Sequence, residues 1–182
     1  MGTYSAVNRL ISTSSCVATV VFFKLALFSF KKKQESLNSI IDIVVLASSI
    51  LAGNASVAAC GGEINQTSAL IIGVVGGFIY TLSNYGMQRF QIDDPLQSTQ
   101  SHLFCGLWGV ISLGIFHKKK GLLTTGSFRF LLIQFLGAII VATFVGVLAV
   151  VFFKNVKRRF HFRLSKIEEV LGLDIIWDAD VL

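Results

Sequence analysis

The sequence predicts an all-α integral membrane protein with five transmembrane helices. Three observations carry that prediction: five long apolar blocks with short polar breaks, a low charge content, and basic clusters at the ends of blocks. Of 182 residues, 53% are apolar and only 14% charged, with a mean hydropathy of +0.71. An ordinary soluble domain carries about 25% charged residues. So large an apolar supply excludes a disordered chain. Cysteines at 16, 60 and 105 are too few and too scattered for a secreted disulfide scaffold.

The first block, about 10–30, is interrupted only by small hydroxyl residues and Lys24, and it closes on Lys31, Lys32 and Lys33. The second, about 39–59, has one acid, Asp42, near its start. The third, about 69–88, contains Gly73, Gly76, Gly77 and Gly86. The fourth, about 100–116, is shorter and holds His102, Gly106, Gly109 and Gly114. The fifth, about 128–153, is the longest and has no charge between Arg129 and Lys154. An apolar run of about 18 or more residues reads as a spanning helix, because lipid cannot hydrate exposed backbone groups.

A soluble helical protein would show a polar stripe at helical period. Thr143 is the only polar side chain across 141–153. Strands of a membrane barrel would alternate apolar and polar residues, and these blocks do not. A secretory signal would lead from a short apolar core into a polar mature chain, whereas here three lysines and a second apolar block follow. Residues 1–153 therefore form the predicted five-span membrane domain, and 154–182 a tail that is basic and then acidic.

His102 is the outstanding candidate for chemistry. An ionisable group at membrane depth is costly and marks a path for a polar substrate or a proton, unless a neighbouring helix satisfies it. From the residue alone both readings stand. Neutral imidazole offers one donor and one acceptor on an aromatic ring, which suits a narrow apolar pore. Asp93, Asp94 and Pro95 precede the fourth block, where carboxylates can cap a helix start and proline can fix its first turn. Gly106 and Gly109 have the small-residue spacing of close helix packing, as do Gly73, Gly76 and Gly77. The sequons at Asn54 and Asn65 fit the glycosylation pattern, and only Asn65 falls in a loop predicted to lie outside. The cysteines share no metal-ligand spacing with one another or with a histidine, so no metal site is expected. No nucleophile–base pair or cofactor motif suggests an enzyme. Directly after a span, the basic stretch 154–166 meets anionic lipid headgroups more simply than nucleic acid.

These pieces stand in an order that resembles the ammonium transporter family (Amt/Mep/Rh). The resemblance rests on Ile50-Leu51-Ala52-Gly53, Ser68-Ala69-Leu70-Ile71-Ile72-Gly73, Ile92-Asp93-Asp94-Pro95-Leu96, and His102 followed by Gly106-Leu107-Trp108-Gly109. It extends to Leu131-Leu132-Ile133-Gln134-Phe135-Leu136-Gly137 and to Gly172-Leu173-Asp174 in the tail, which looks like a cytoplasmic signature of the family. Asn8 with Cys16-Val17-Ala18-Thr19 suits the start of the family's seventh span. The resemblance implies the seventh to eleventh spans of an eleven-span fold, a trimer, the plasma membrane, and ammonium or ammonia as substrate.

On that resemblance His102 matches the second of two pore histidines. It implies a truncated transporter or channel component that needs other membrane spans or subunits to complete a pore. A non-conducting structural or regulatory subunit of a membrane complex is the alternative. Leu103 stands where the family usually has glycine and Phe104 follows, and their bulk predicts a narrowed path.

Five spans put the two termini on opposite sides. With the C-terminus cytoplasmic, Lys31, Lys32, Lys33, Arg89 and the basic tail lie inside. They outnumber Arg9, Lys118, Lys119, Lys120 and Arg129 outside, as the positive-inside rule requires. Lys24 snorkels to the inner interface. In sealed, right-side-out vesicles a tag after Leu182 should be protected from external protease. Cleavage of that tag without permeabilisation would overturn the orientation.

Overall fold

The computed structural model describes residues 2–31 and 42–159, with side chains described over 4–26 and 42–159. Helix α1 is Gly2–Lys31, α2 is Ile43–Ala58, and α3 is Gln66–Arg89. A π-helical turn, Thr99–Phe104, leads into α4, Cys105–Phe116. The short α5, Leu122–Thr125, precedes α6, Arg129–Arg159. There is no strand among the described residues. Tyr4–Ala26, Gln66–Arg89, Thr99–Phe116 and Arg129–Arg159 are long and apolar enough to cross a membrane, and α2 is a shorter apolar helix. The chain divides into two units, Met1–Ala138 and Ile139–Leu182.

Helix boundaries follow local chemistry. Helix α1 begins well before the predicted block, since nothing from Tyr4 to Leu10 breaks a helix. Helix α2 begins at a cap: Asp42 is extended, and its Oδ1 accepts from the Val44 N–H at 2.9 Å. Residues 39–41 of the predicted second span lie outside the described residues. Gly126 ends α5 in the left-handed region at φ 68°, where glycine costs least. Helix α6 runs past the predicted end at 153 into Lys157, Arg158 and Arg159, cations that suit a helix C-terminus. No residue of α6 is buried. Residues 160–182, including Gly172, Leu173 and Asp174, lie outside the described residues.

The first unit is sorted by size rather than by polarity. Its buried residues are small or medium: Cys16, Val20, Val45, Ala52 and Cys105 around Tyr80, then Val57, Cys60, Ile64, Ala69 and Ile72. Among them are buried Ser12, Ser49, Ser56 and Ser112. Large apolar side chains such as Leu10, Phe22, Phe78 and Leu82 are exposed. Lipid tails are as apolar as leucine, so burying leucine brings little association; close van der Waals packing and hydrogen bonds must do it.

The serines supply part of those bonds. Ser12 Oγ donates to the Gly53 carbonyl at 2.9 Å, linking α1 to α2. Ser15 Oγ donates to Ser12 at 3.0 Å and to Leu70 of α3 at 3.2 Å. Asn8 of α1 donates to Gly61 at 2.7 Å and Ile64 at 3.0 Å, holding the connection after α2.

Glycine sets how close the helices come. A Cβ at Gly53 would lie 2.7 Å from Thr13 Cα, and one at Gly77 would lie 2.8 Å from the Cys16 carbonyl oxygen. Neither neighbour is a flexible side-chain tip that could yield. Gly53→Ala should therefore destabilise the protein by about 1–3 kcal/mol, the usual cost of overpacking. Gly86→Ala, which meets nothing within 4 Å, should be neutral or slightly stabilising. Thermal unfolding of the two variants in detergent checks the contrast; equal midpoints would contradict it.

Candidate functional site

The connection between α3 and the π-helical turn is built to hold a fixed register. Helix α3 ends at Arg89 with Phe90 as its C-cap, and Gln91 turns the chain with φ 54°, in the left-handed region. The Ile92 N–H reaches back to Met87 at 3.0 Å and the Gln91 N–H to Gln88 at 3.2 Å, a Schellman-type ending. Asp94-Pro95-Leu96-Gln97 then forms a β-turn, closed by Gln97 N–H donating to the Asp94 carbonyl at 3.0 Å. Gln97 is left-handed as well, with φ 55°.

Two neighbouring helices pin this loop. The buried hydroxyl of Tyr80 on α3 hydrogen-bonds Gln97 Oε1 and also reaches the Val45 carbonyl at 3.5 Å. Ser48 of α2 donates to the Leu96 carbonyl at 3.2 Å.

The Asp94 carboxylate meets the first free N–H groups of the helical segment. Its Oδ1 accepts from Ser98 N–H at 3.1 Å and its Oδ2 from Thr99 N–H at 2.8 Å. Oriented by its neighbours, the buried Gln100 amide nitrogen donates to Asp94 Oδ2 at 2.8 Å and to the Gln97 carbonyl at 3.3 Å. The Thr99 backbone N–H is the main cause that holds the Asp94 carboxyl below its ordinary value, and Thr99's side chain and Ser98 add to it. Asp93 is exposed and makes no hydrogen bond among the described residues. Pro95 does not fix the first helical turn. It takes the second position of the β-turn, one turn earlier, because Asp94 spends its backbone carbonyl there while its side chain caps the helix.

The π-helical turn carries His102. At its end the Cys105 N–H reaches the Gln100 carbonyl, five residues back. Such turns recur at functional sites. The His102 side chain is exposed, with no hydrogen-bond partner among the described residues. Its ring lines an open groove of about 370 Å³ together with Gly106 of α4, Leu51, Asn54 and Ala58 of α2, and Arg9 of α1.

Among the described residues Gly106 packs against no neighbour, although its spacing in the sequence predicts close packing. Nothing lies within 4 Å of the position of a Cβ there, because it borders the groove. Gly109 does pack: a Cβ would lie 2.8 Å from the Ala55 carbonyl oxygen. Trp108 fixes the other side of α4, donating from Nε1 to the Ile72 carbonyl at 3.0 Å. Leu103 and Phe104 are exposed and do not line the groove, so their bulk does not narrow it from this side.

Sequence spacing does not bring Arg9 and Asn54 to this groove; their one signal in the sequence is polarity beside or within an apolar block. At the other end of α4, His117 Nδ1 accepts from Lys119 N–H at 3.0 Å and Lys120 N–H at 3.3 Å. The Lys118 N–H donates to the Glu63 carbonyl at 3.0 Å, tying the two connections together. Asn65 is exposed immediately before α3.

The model of the Ammonium Transporter Family matches residues 2–180. Ammonium transporter 3 of Dictyostelium discoideum is 29% identical over 145 residues, covering 73% of this chain and 34% of its own length. Ammonium transporter Amt2 of Archaeoglobus fulgidus is 29% identical over 151 residues, covering 77% and 32%. Among solved structures, a "Sensor Amt Protein" superposes with a TM-score of 0.76 at 25% identity, over 95% of this chain and 41% of its own. Mep2 of Saccharomyces cerevisiae shares the fold, with a TM-score of 0.60 at 22% identity over 75% of this chain and 34% of its own. The chain spans about a third of the length of these curated relatives.

The Asp94 cap makes a measurable prediction. A carboxylate whose pKa is lowered by folding adds stability that is present above its unfolded value, about 3.9, and lost as pH falls through the folded value. Asp94→Ala should cost about 1 kcal/mol at neutral pH, as for other lost caps. The gap between wild type and variant should close below about pH 4. Unfolding midpoints in detergent at pH 7 and pH 3 test this; a gap that is unchanged at pH 3 would contradict it.

Proposed function

Since the chain belongs to the ammonium transporter family, we propose that it works in the movement of ammonium or ammonia across a membrane, as a component of a transporter whose pathway His102 lines. It is an integral membrane protein of a family whose named relatives are transporters, not enzymes. The carrying observation is the position of His102 within the candidate span Thr99–Phe116: an exposed side chain, unpartnered among the described residues, that borders an open groove. An imidazole there can accept a proton or hydrogen bond from a desolvated ammonium and donate to the next polar group.

In this reading residues 1–153 form the second half of the family fold, with five membrane helices. Asp94 and Pro95 fix the loop that precedes His102, with Asp93 exposed beside them. Trp108 and Gly109 set α4 against α3 and α2, while Gly106 keeps the groove open. The 154–182 tail, with Gly172, Leu173 and Asp174, is cytoplasmic, and its basic stretch 154–166 meets anionic lipid headgroups. Further spans complete the pathway, and the assembly is a trimer in the plasma membrane. Asn65, exposed on the outer side, is open to glycosylation.

Proteoliposomes that hold this chain with the remaining spans of the fold, supplied on a second polypeptide, should take up methylammonium faster than empty vesicles. His102→Ala should change that flux roughly tenfold, about 1.4 kcal/mol on the barrier, at unchanged protein content. Absence of flux from the wild-type assembly, or flux indifferent to His102→Ala, would overturn the reading.

A further inference from the structure

One imidazole closes the turn that leaves α4. His117 is the C-cap of that helix. Its Nδ1 accepts from the Lys119 N–H at 3.0 Å and from the Lys120 N–H at 3.3 Å. A ring nitrogen that accepts from N–H groups holds a lone pair, so the ring is neutral and its proton is on Nε2. Nε2 lies 3.9 Å from Glu63 Oε2, on the connection between α2 and α3. Phe130, at the start of α6, meets the ring edge to face, with centroids 5.3 Å apart. The His117 side chain is 12% exposed and that of Glu63 49%, so the ring is enclosed while its carboxylate neighbour is open to solvent.

The backbone repeats the same link. The Lys118 N–H donates to the Glu63 carbonyl, and the His117 carbonyl accepts from the Gly121 N–H at 2.9 Å and from Thr124 Oγ1 of α5 at 3.1 Å. Charge comes to the ring from several segments. Glu63 and the negative end of the α4 dipole favour a cation there. Lys118, Lys119 and Lys120 of its own turn, and Arg129 beside Phe130, oppose one, while α5 carries no charged group. The Lys118 Nζ lies over the Tyr4 ring of α1, 5.5 Å from its centroid.

Histidine is the side chain whose charge changes between about pH 5 and 8. A proton on Nδ1 turns that atom from acceptor to donor, and it then faces two N–H groups. The two arrangements exclude each other. A cationic ring has its partner on the opposite side, in the Glu63 carboxylate.

We infer that His117 is a proton-operated clasp. Neutral, it closes the turn 117–121 on Nδ1 and ties the end of α4 to the connection after α2. Protonated from solvent, it gives up both backbone N–H groups, pairs with Glu63 and leaves the turn open. The clasp lies at the end of α4 away from His102 and outside the groove, so it acts on the anchoring of α4 and not on the groove directly. In the proposed orientation the outer medium supplies the proton; the clasp itself depends on neither orientation nor transport.

Amide hydrogen exchange of the full chain in detergent, corrected for the intrinsic pH dependence of exchange, tests this. Protection at Lys119 and Lys120 should fall about tenfold between about pH 7.5 and about pH 5.5, as for the loss of two ordinary hydrogen bonds, while α3 stays unchanged. His117→Asn places an acceptor that does not titrate where Nδ1 stands, and it should hold protection equal at both pH values. His117→Ala should lose protection at both. Glu63→Gln removes the partner of the cation and should move the loss to lower pH. Wild-type protection that is the same at both pH values would overturn the inference. So would an equal loss in His117→Asn, which assigns the change to another group, or full protection in His117→Ala.

Discussion

Helix backbones touch at Gly53, Gly73 and Gly77, and the solvent is the reason that they must. In water, burying leucine and phenylalanine would draw α1, α2 and α3 together; in lipid those side chains gain little by leaving the solvent. What remains is contact at short range. A side chain at Gly73 would run into Ser12 and Ser15, the same serines that bond Gly53 and Leu70. Glycine and serine thus act as a pair at each crossing, one removing bulk and the other supplying a hydrogen bond across the gap. Ser56 and Ser112 turn their hydroxyls back onto carbonyls of their own helices, Ala52 and Gly109, so that burial leaves these groups satisfied.

That crossing determines where His102 can be. Once α2 and α3 are fixed, Val45, Ser48 and Tyr80 form a set of anchors for the loop that follows α3. The loop accepts two left-handed non-glycine residues, Gln91 and Gln97, a conformation that is uncommon and needs support from its surroundings. Gln97 receives that support from Tyr80. Asp94 then starts the helical segment at a defined residue, and the wide π turn presents the imidazole to the groove. Helix packing, loop strain and side-chain aim form one chain of dependence.

Much of the helical framework could be read from hydropathy, since apolar runs must satisfy their own backbone groups in lipid. The capping role of Asp94 was also legible, because carboxylates before an apolar helix have few other uses. What hydropathy could not give is direction around a helix axis. Gly106 and Gly109 look alike in sequence, yet one borders open space and the other touches Ala55, and only the packing of α4 on α2 separates them. The same holds for Leu103 and Phe104, neighbours of His102 that face elsewhere because successive residues of a helical turn point in different directions. Pro95 lies in the β-turn and not in the first helical turn for a related reason: the pattern gives the loop, and the hydrogen bonds decide where in the loop the helix starts. Arg9 and Asn54 come to the same groove from separate helices, and no spacing within one segment encodes that meeting.

The Asp42 cap fixes the start of α2, and its consequence concerns membrane thickness. Sixteen residues at 1.5 Å each make a rod of about 24 Å, against about 30 Å for a typical hydrocarbon core. A rod of that length is shorter than the apolar core it would cross, and the difference is met by a thinner bilayer beside it or by polar groups that reach inward. Helix α2 also supplies much of the groove face near His102, so the shortest apolar helix and the polar side chains Asn54 and His102 fall on the same side of the unit.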